Sequence, residues 1–222
     1  VSSTGLTSDD VRVIGEARDG AIWGGTYGGG VWRIAGDKVT TITRRDGLSN
    51  GNVLALLEDA DGTMWIGTNG GGLNRLRNGR ITVYTKNVGL FSDGLFQILD
   101  DARGSLWMGS NAGVFRVAHT ELEDFANGRR REVTSVSFTS ADGLRPGSVL
   151  GGAQPAGWTD TLGRVWFPTV AGAALIDPAR LVRNTVAPQV HIERMVVDRR
   201  EWPADGQVTL PPGTREVEFH YT

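Results

Sequence analysis

One feature limits what this chain can fold into more than any other: it repeats itself. Trp23, Trp65 and Trp107 stand 42 residues apart in succession, and the pairs Gly5-Leu6, Gly47-Leu48 and Gly89-Leu90 keep the same interval. The second copy runs Gly47-Leu48-Ser49-Asn50, then residues 53 to 59, then Asp61-Gly62-Thr63-Met64-Trp65-Ile66-Gly67-Thr68-Asn69-Gly70-Gly71-Gly72-Leu73. A looser fourth copy opens at Gly143-Leu144 and carries Val165-Trp166-Phe167-Pro168, its tryptophan 59 residues after Trp107. Such a unit cannot bury its apolar face alone and must stack on its neighbours. A period near 42 with β-rich content is the length of a four-stranded propeller blade.

Each unit divides accordingly. In the second copy the expected strands are residues 53 to 58, 63 to 68, 72 to 77 and 80 to 85, joined by Asp61-Gly62, the Asn69-to-Gly71 loop and the hairpin signal Asn78-Gly79. Helix competes poorly, because a glycine every few residues costs a helix about 1 kcal/mol each. Thirty-two glycines and seven tryptophans in 222 residues agree with many short strands and tight turns. The longer fourth interval places an insertion between Ala118 and Asp142. Pro146, Pro155 and Pro168 suit a terminal or edge unit.

Composition excludes several functions. A formal net charge of −2, with Arg129-Arg130-Arg131 as the lone basic cluster, gives no footprint for nucleic acid or an anionic membrane. Without cysteine there is no disulfide or thiolate chemistry. No apolar run approaches a membrane span, so any membrane contact is expected through a region outside this chain. Absence of a leader and a strand-like end at Glu218 to Thr222 suggest a piece cut from a longer protein.

The second copy resembles the two-component regulator propeller repeat almost throughout; the first and third are similar, and the fourth partly so. Together they span about residues 5 to 177. The segments from Val190 to Val197, Trp202 to Gly206 and Glu216 to Tyr221 resemble the start of a triple-tyrosine (Y_Y_Y) domain. The expected architecture is therefore all-β: a partial propeller of four blades over residues 1 to 180, a linker at 181 to 189, and the first strands of a β-sandwich over 190 to 222. The resemblance implies the periplasmic sensor region of a bacterial receptor, with a histidine kinase or diguanylate cyclase output outside this chain. It also implies an oligosaccharide or other small-molecule ligand. A complete propeller of the family has about seven blades, so the open edges of four suggest a possible homodimer.

Alternating strands put the blade-to-blade loops and the loops between second and third strands on one face. The expected ligand-binding residues there are Tyr27, Arg45, Asn50, Asn52, Thr68, Asn69 and Asn111, groups that hydrogen-bond a neutral ligand, with Arg45 suited to an acidic group. Ordinary turn chemistry explains the same residue types. A phosphate cradle at Thr68-Asn69-Gly70-Gly71-Gly72 lacks the following helix it would need. The equivalent tryptophans point to packing between blades and not to sugar stacking. His119, His191 and His220 fall outside the repeat and have no metal spacing. The acidic pairs Glu58-Asp59 and Asp100-Asp101 recur before a turn, which favours a structural role. The sequence thus leads to no enzyme, no cofactor and no metal. A propeller lyase resembling streptogramin lyase and a protein-interaction scaffold are the alternatives.

Overall fold

The computed structural model describes residues 6–144, 149–152, 154–181, 191–203 and 208–221. Gly5, Pro146, Val190, Gly206, Thr222 and the expected linker beyond Leu181 lie outside the described residues. Contacts divide the chain into two compact units, Val1–Leu181 and Val182–Thr222.

The first unit is a series of antiparallel meanders. Blade one comprises β1 (Val11–Glu16), β2 (Ile22–Thr26), β3 (Gly30–Ala35) and β4 (Lys38–Ile42); blade two comprises β5 (Val53–Glu58), β6 (Met64–Thr68), β7 (Leu73–Arg77) and β8 (Arg80–Tyr84). Blade three has β9 (Gln97–Asp100), β10 (Ser105–Ser110) and β11 (Gly113–Ala118), then the helix α1 (His119–Ala126), then β12 (Val136–Phe138). The expected insertion is thus a helix between a blade's third and fourth strands. In the fourth copy the described strands are β13 (Trp158–Thr159), β14 (Val165–Thr169) and β15 (Gly172–Ile176), with Pro168 inside β14. The first strands adjoin one another in the order β1, β5, β9, β13 and form the inner ring. The Gln154 side-chain amide caps the free edge of β1, accepting from Ile14 N–H at 2.8 Å and donating to Ile14 O at 2.5 Å.

Period-two alternation assigns each strand to two cores. Met64 and Ile66 join Val13, Val31, Leu48 and Val53 between blades one and two. Trp65 points the other way, into a core with Tyr84, Leu106, Phe115 and Leu122. Trp107, Val165 and Phe167 fill the next interface. Trp65 and Trp107 are fully buried, as expected for inter-blade packing.

A clasp repeats at every second strand but the first. The indole Nε1–H of Trp65, Trp107 and Trp166 donates to Asp59, Asp101 and Asp160 at 2.7, 2.8 and 3.0 Å. The other carboxylate oxygen accepts two backbone N–H groups of the turn, from Asp61 and Thr63, Arg103 and Ser105, or Leu162 and Arg164. In blade one Ala17 stands at this position and Trp23 is only half-buried. Trp166 is also half-buried, since no further blade among the described residues packs on it.

In the second unit β16 (Ile192–Val197) lies between β17 (Arg200–Trp202) and β18 (Val217–Tyr221), all antiparallel. Asp198 and Arg199, both at positive φ, form a two-residue hairpin turn, and Met195 and Val197 are buried.

Candidate functional site

The upper face is made of inter-blade loops laid against glycine-rich loops. Each inter-blade loop begins with a single 3-10 turn, of which Arg44–Asp46 is the first. Thr43 and Asp46 cap it reciprocally, and Gly47 closes it at φ 101°. Hydrogen bonds from the Thr43 backbone and hydroxyl hold the Asp46 carboxyl below the usual carboxylate range. Backbone N–H groups of Gly28 and Gly30 both donate to Gly51 O, and those of Gly70 and Gly72 both donate to Asp93 O. The glycine-rich donors thus stitch blade to blade. Gly72 has φ 74°, and a Cβ there would lie 2.1 Å from Tyr84 O, so only glycine permits this approach.

The expected residues have unequal freedom. Tyr27 is 48% exposed, with the Arg12 guanidinium 5.3 Å from its ring centroid. Arg45 is exposed beside a cleft of about 360 Å³ lined by Thr7, Gly28, Thr43, Arg44 and Gly51. Asn50 donates from Nδ2 to Asn69 O at 3.1 Å and accepts Asn52 N–H at Oδ1, so its amide closes the loop. Asn52 is half-buried, and its carbonyl accepts from Asn69 N–H. Thr68 is fully buried, its hydroxyl donating to Gly72 O and accepting from Gly71 N–H; it shapes the loop and is withheld from solvent. Asn69 and Asn111 are exposed. Tyr27, Arg45, Asn50 and Asn69 therefore border the loops of blades one and two, while Asn111 belongs to blade three.

Asn74 and the clasp aspartates, which hold the structure, gave weaker signals in the sequence. Asn74, fully buried, accepts Ser49 N–H and donates to Ser49 Oγ, anchoring the loop that carries Asn50. Its equivalents are Trp32 and Phe115, so the repeat does not mark it. The clasp aspartates were readable as an acid six residues before Trp65, Trp107 and Trp166. His119, packed edge-on against Trp65, bonds Asp100 at 3.3 Å on the opposite face. That bond raises the His119 pKa and lowers the Asp100 pKa.

Residues 47–70 match the model of the two component regulator propeller family, so the chain carries that repeat. The fold is that of the extracellular domain of the putative hybrid two component system BT3049 from B. thetaiotaomicron, with a TM-score of 0.70 and 20% identity over 99% of this chain and 27% of that one. The extracellular domain of the putative hybrid system BT4673 from the same organism matches with a TM-score of 0.62 and 20% identity, over 77% of this chain and 24% of that one. A streptogramin B lyase structure gives a TM-score of 0.53 and 16% identity, over 78% of this chain and 53% of that one. The chain thus spans about a quarter of the length of the two extracellular domains. No curated protein matches it.

Proposed function

We propose that the first unit is an arc of blades from the ligand-sensing, extracytoplasmic propeller of a bacterial two-component or hybrid receptor, whose output domain lies outside this chain. The observation that carries this reading is the two-component regulator repeat on a propeller fold shared with two hybrid-system extracellular domains. The upper loops support it, since Tyr27, Asn69 and Asn111 offer hydrogen-bonding and stacking groups without a paired nucleophile and base. Such a set binds a neutral polar ligand, an oligosaccharide above all, and leaves it unchanged. In this reading the second unit is the beginning of a Y_Y_Y sandwich leading toward the membrane, and the receptor is periplasmic.

Thermal shift of the intact receptor ectodomain against a glycan panel tests the site. Tyr27→Ala and Asn69→Ala are expected to abolish most of the stabilisation by the best glycan. Unchanged stabilisation in both variants would move the site off this face. Asn50→Ala is less informative, because its amide also closes the loop.

The lyase reading has one specific support, the shared propeller with streptogramin B lyase. Against it, His119 is the sole histidine of the first unit and is bound to Asp100 beside α1, away from the upper loops. Self-association of the chain is a separate expectation, checked by sedimentation velocity across a concentration series.

A further inference from the structure

We infer that the cleft between blades one and two, on the face of the Asp-Gly turns, binds the carboxylate of a small ligand, seated where the clasp aspartate stands in the other three blades. This site is distinct from the upper loops and does not depend on them.

The inference rests on the chain's own repeats. Blade one retains the clasp's backbone: Ala17 N–H donates to Ala21 O at 2.8 Å and Gly20 N–H to Ala17 O at 2.9 Å, matching Asp59 with Thr63 and Gly62 in blade two. Trp23 also keeps its register, opposite Gly15 and Arg33, as Trp65 lies opposite Leu57 and Arg75. The carboxylate alone is missing. Among the described residues no acceptor meets the Trp23 indole N–H, whereas the three other indoles of the series each have an aspartate.

The vacated place opens into a cleft of about 540 Å³ lined by Ala17, Trp23, Leu56, Met64, Arg18 and Glu58, among others. At the next interface His119, from the neighbouring blade, packs against Trp65 in the corresponding space. The chemistry of the walls selects the ligand. Leu56, Met64 and the Trp23 ring provide an apolar floor; the Arg33 guanidinium over the Trp23 ring is already paired with Asp19, so recognition falls to the indole N–H. The wall carboxylates have partners of their own: Glu58 accepts Arg18 N–H at 2.7 Å, and Asp59 holds Trp65. A ligand carboxylate completes the indole bond, and charge-assisted bonds are about twice as strong as neutral ones. Glu16 at the rim disfavours phosphate or a dianion more than a single carboxylate.

Two-dimensional ¹H–¹⁵N NMR of the 222-residue chain tests this, with the Trp23 indole resonance assigned by Trp23→Phe. The probes are D-glucuronate, N-acetyl-L-alanine, D-glucose and inorganic phosphate. One or both carboxylates are expected to move the Trp23 indole proton downfield and saturably, while glucose and phosphate leave it in place. A response to glucuronate alone identifies an acidic sugar, and one to N-acetylalanine alone a peptide end. Ala17→Asp supplies the missing acceptor: the indole proton should sit downfield without ligand, and affinity should fall by about tenfold or more. Should that variant fail to fold, Ala17→Asn offers a neutral acceptor at the same place. The inference is overturned if neither carboxylate gives a saturable shift, if glucose acts equally, or if the substitution at residue 17 leaves affinity unchanged.

Discussion

A buried indole N–H is costly to leave unmet, and Asp59 and Asp101 each meet one while also tying two turn amides. Asp101→Ala therefore leaves Trp107 Nε1–H and the N–H groups of Arg103 and Ser105 without their acceptor. Urea unfolding should show a loss of about 2–3 kcal/mol. Trp107→Phe in the same chain should recover part of that loss, since it removes the orphaned donor as well. Trp65→Ala should cost about 3–5 kcal/mol, because the side chain is wholly enclosed between blades two and three. Otherwise equivalent clasps differ in charge environment. Burial and the adjacent Asp61 push the Asp59 carboxyl up, whereas hydrogen bonds from Trp166 and from the turn bring Asp160 down to about 2.

Among the elements, α1 is the one that departs from the repeat. It clamps the outer side of blade two: Arg75 forms a bidentate pair with Glu123 at 2.7 and 2.9 Å, and Tyr84 Oη–H donates to Leu122 O at 2.8 Å. Burial against the helix pushes the Tyr84 hydroxyl well above its ordinary value. Glu123→Ala leaves a largely buried guanidinium unpaired, and denaturant titration should show a loss of about 1–3 kcal/mol, limited by the partial exposure of Glu123. His119 at the helix start faces Asp100, with Asp59 and Asp101 near enough to favour its charge. Its raised pKa means that its contribution is full below the ordinary histidine value of about 6.5 and is lost as pH rises through the folded value. The lowered pKa of Asp100 means that its share is present above the ordinary carboxylate range and is lost on acidification. Stability measured against pH should therefore fall on the alkaline side of this window, and His119→Gln should flatten that fall.

The strands were legible because two devices agree along them: residue alternation in β5 to β8 and the punctuation of Asp61-Gly62 and Asn78-Gly79. The expected strand of residues 53 to 58 coincides with β5, and the others differ from observation by a residue at their ends. The location of the insertion could be read from the lengthened interval. Its helical form could not, since the eight residues of α1 carry only Leu122 and Ala126 as buried positions, too few for a helical period to stand out. The 3-10 turns were hidden because Thr43 and Asp46 fit any polar loop until their reciprocal bonds are seen. In the candidate site, the expected loops do meet on one face, but Thr68 and Asn50 share residue types with ligand-binding groups while serving the backbone. Only atomic partners separate those roles.

At the scale of the whole first unit, the arc of blades ends in exposed apolar surface. Trp158 and Leu162 are 65% and 67% exposed beside Trp166, and Ile14 is 50% exposed at the opposite end. Those faces are chemically like the buried interfaces between blades one to three, which is how a repeat architecture looks where stacking stops. The function proposed at this scale is to read a ligand without altering it. The most direct test is calorimetric titration of the intact ectodomain with the best glycan of a panel, followed by mass analysis of the recovered ligand. The account predicts saturable binding that Tyr27→Ala and Asn69→Ala weaken, with the glycan recovered at its original mass; conversion to a product of different mass, or binding indifferent to both substitutions, would contradict it.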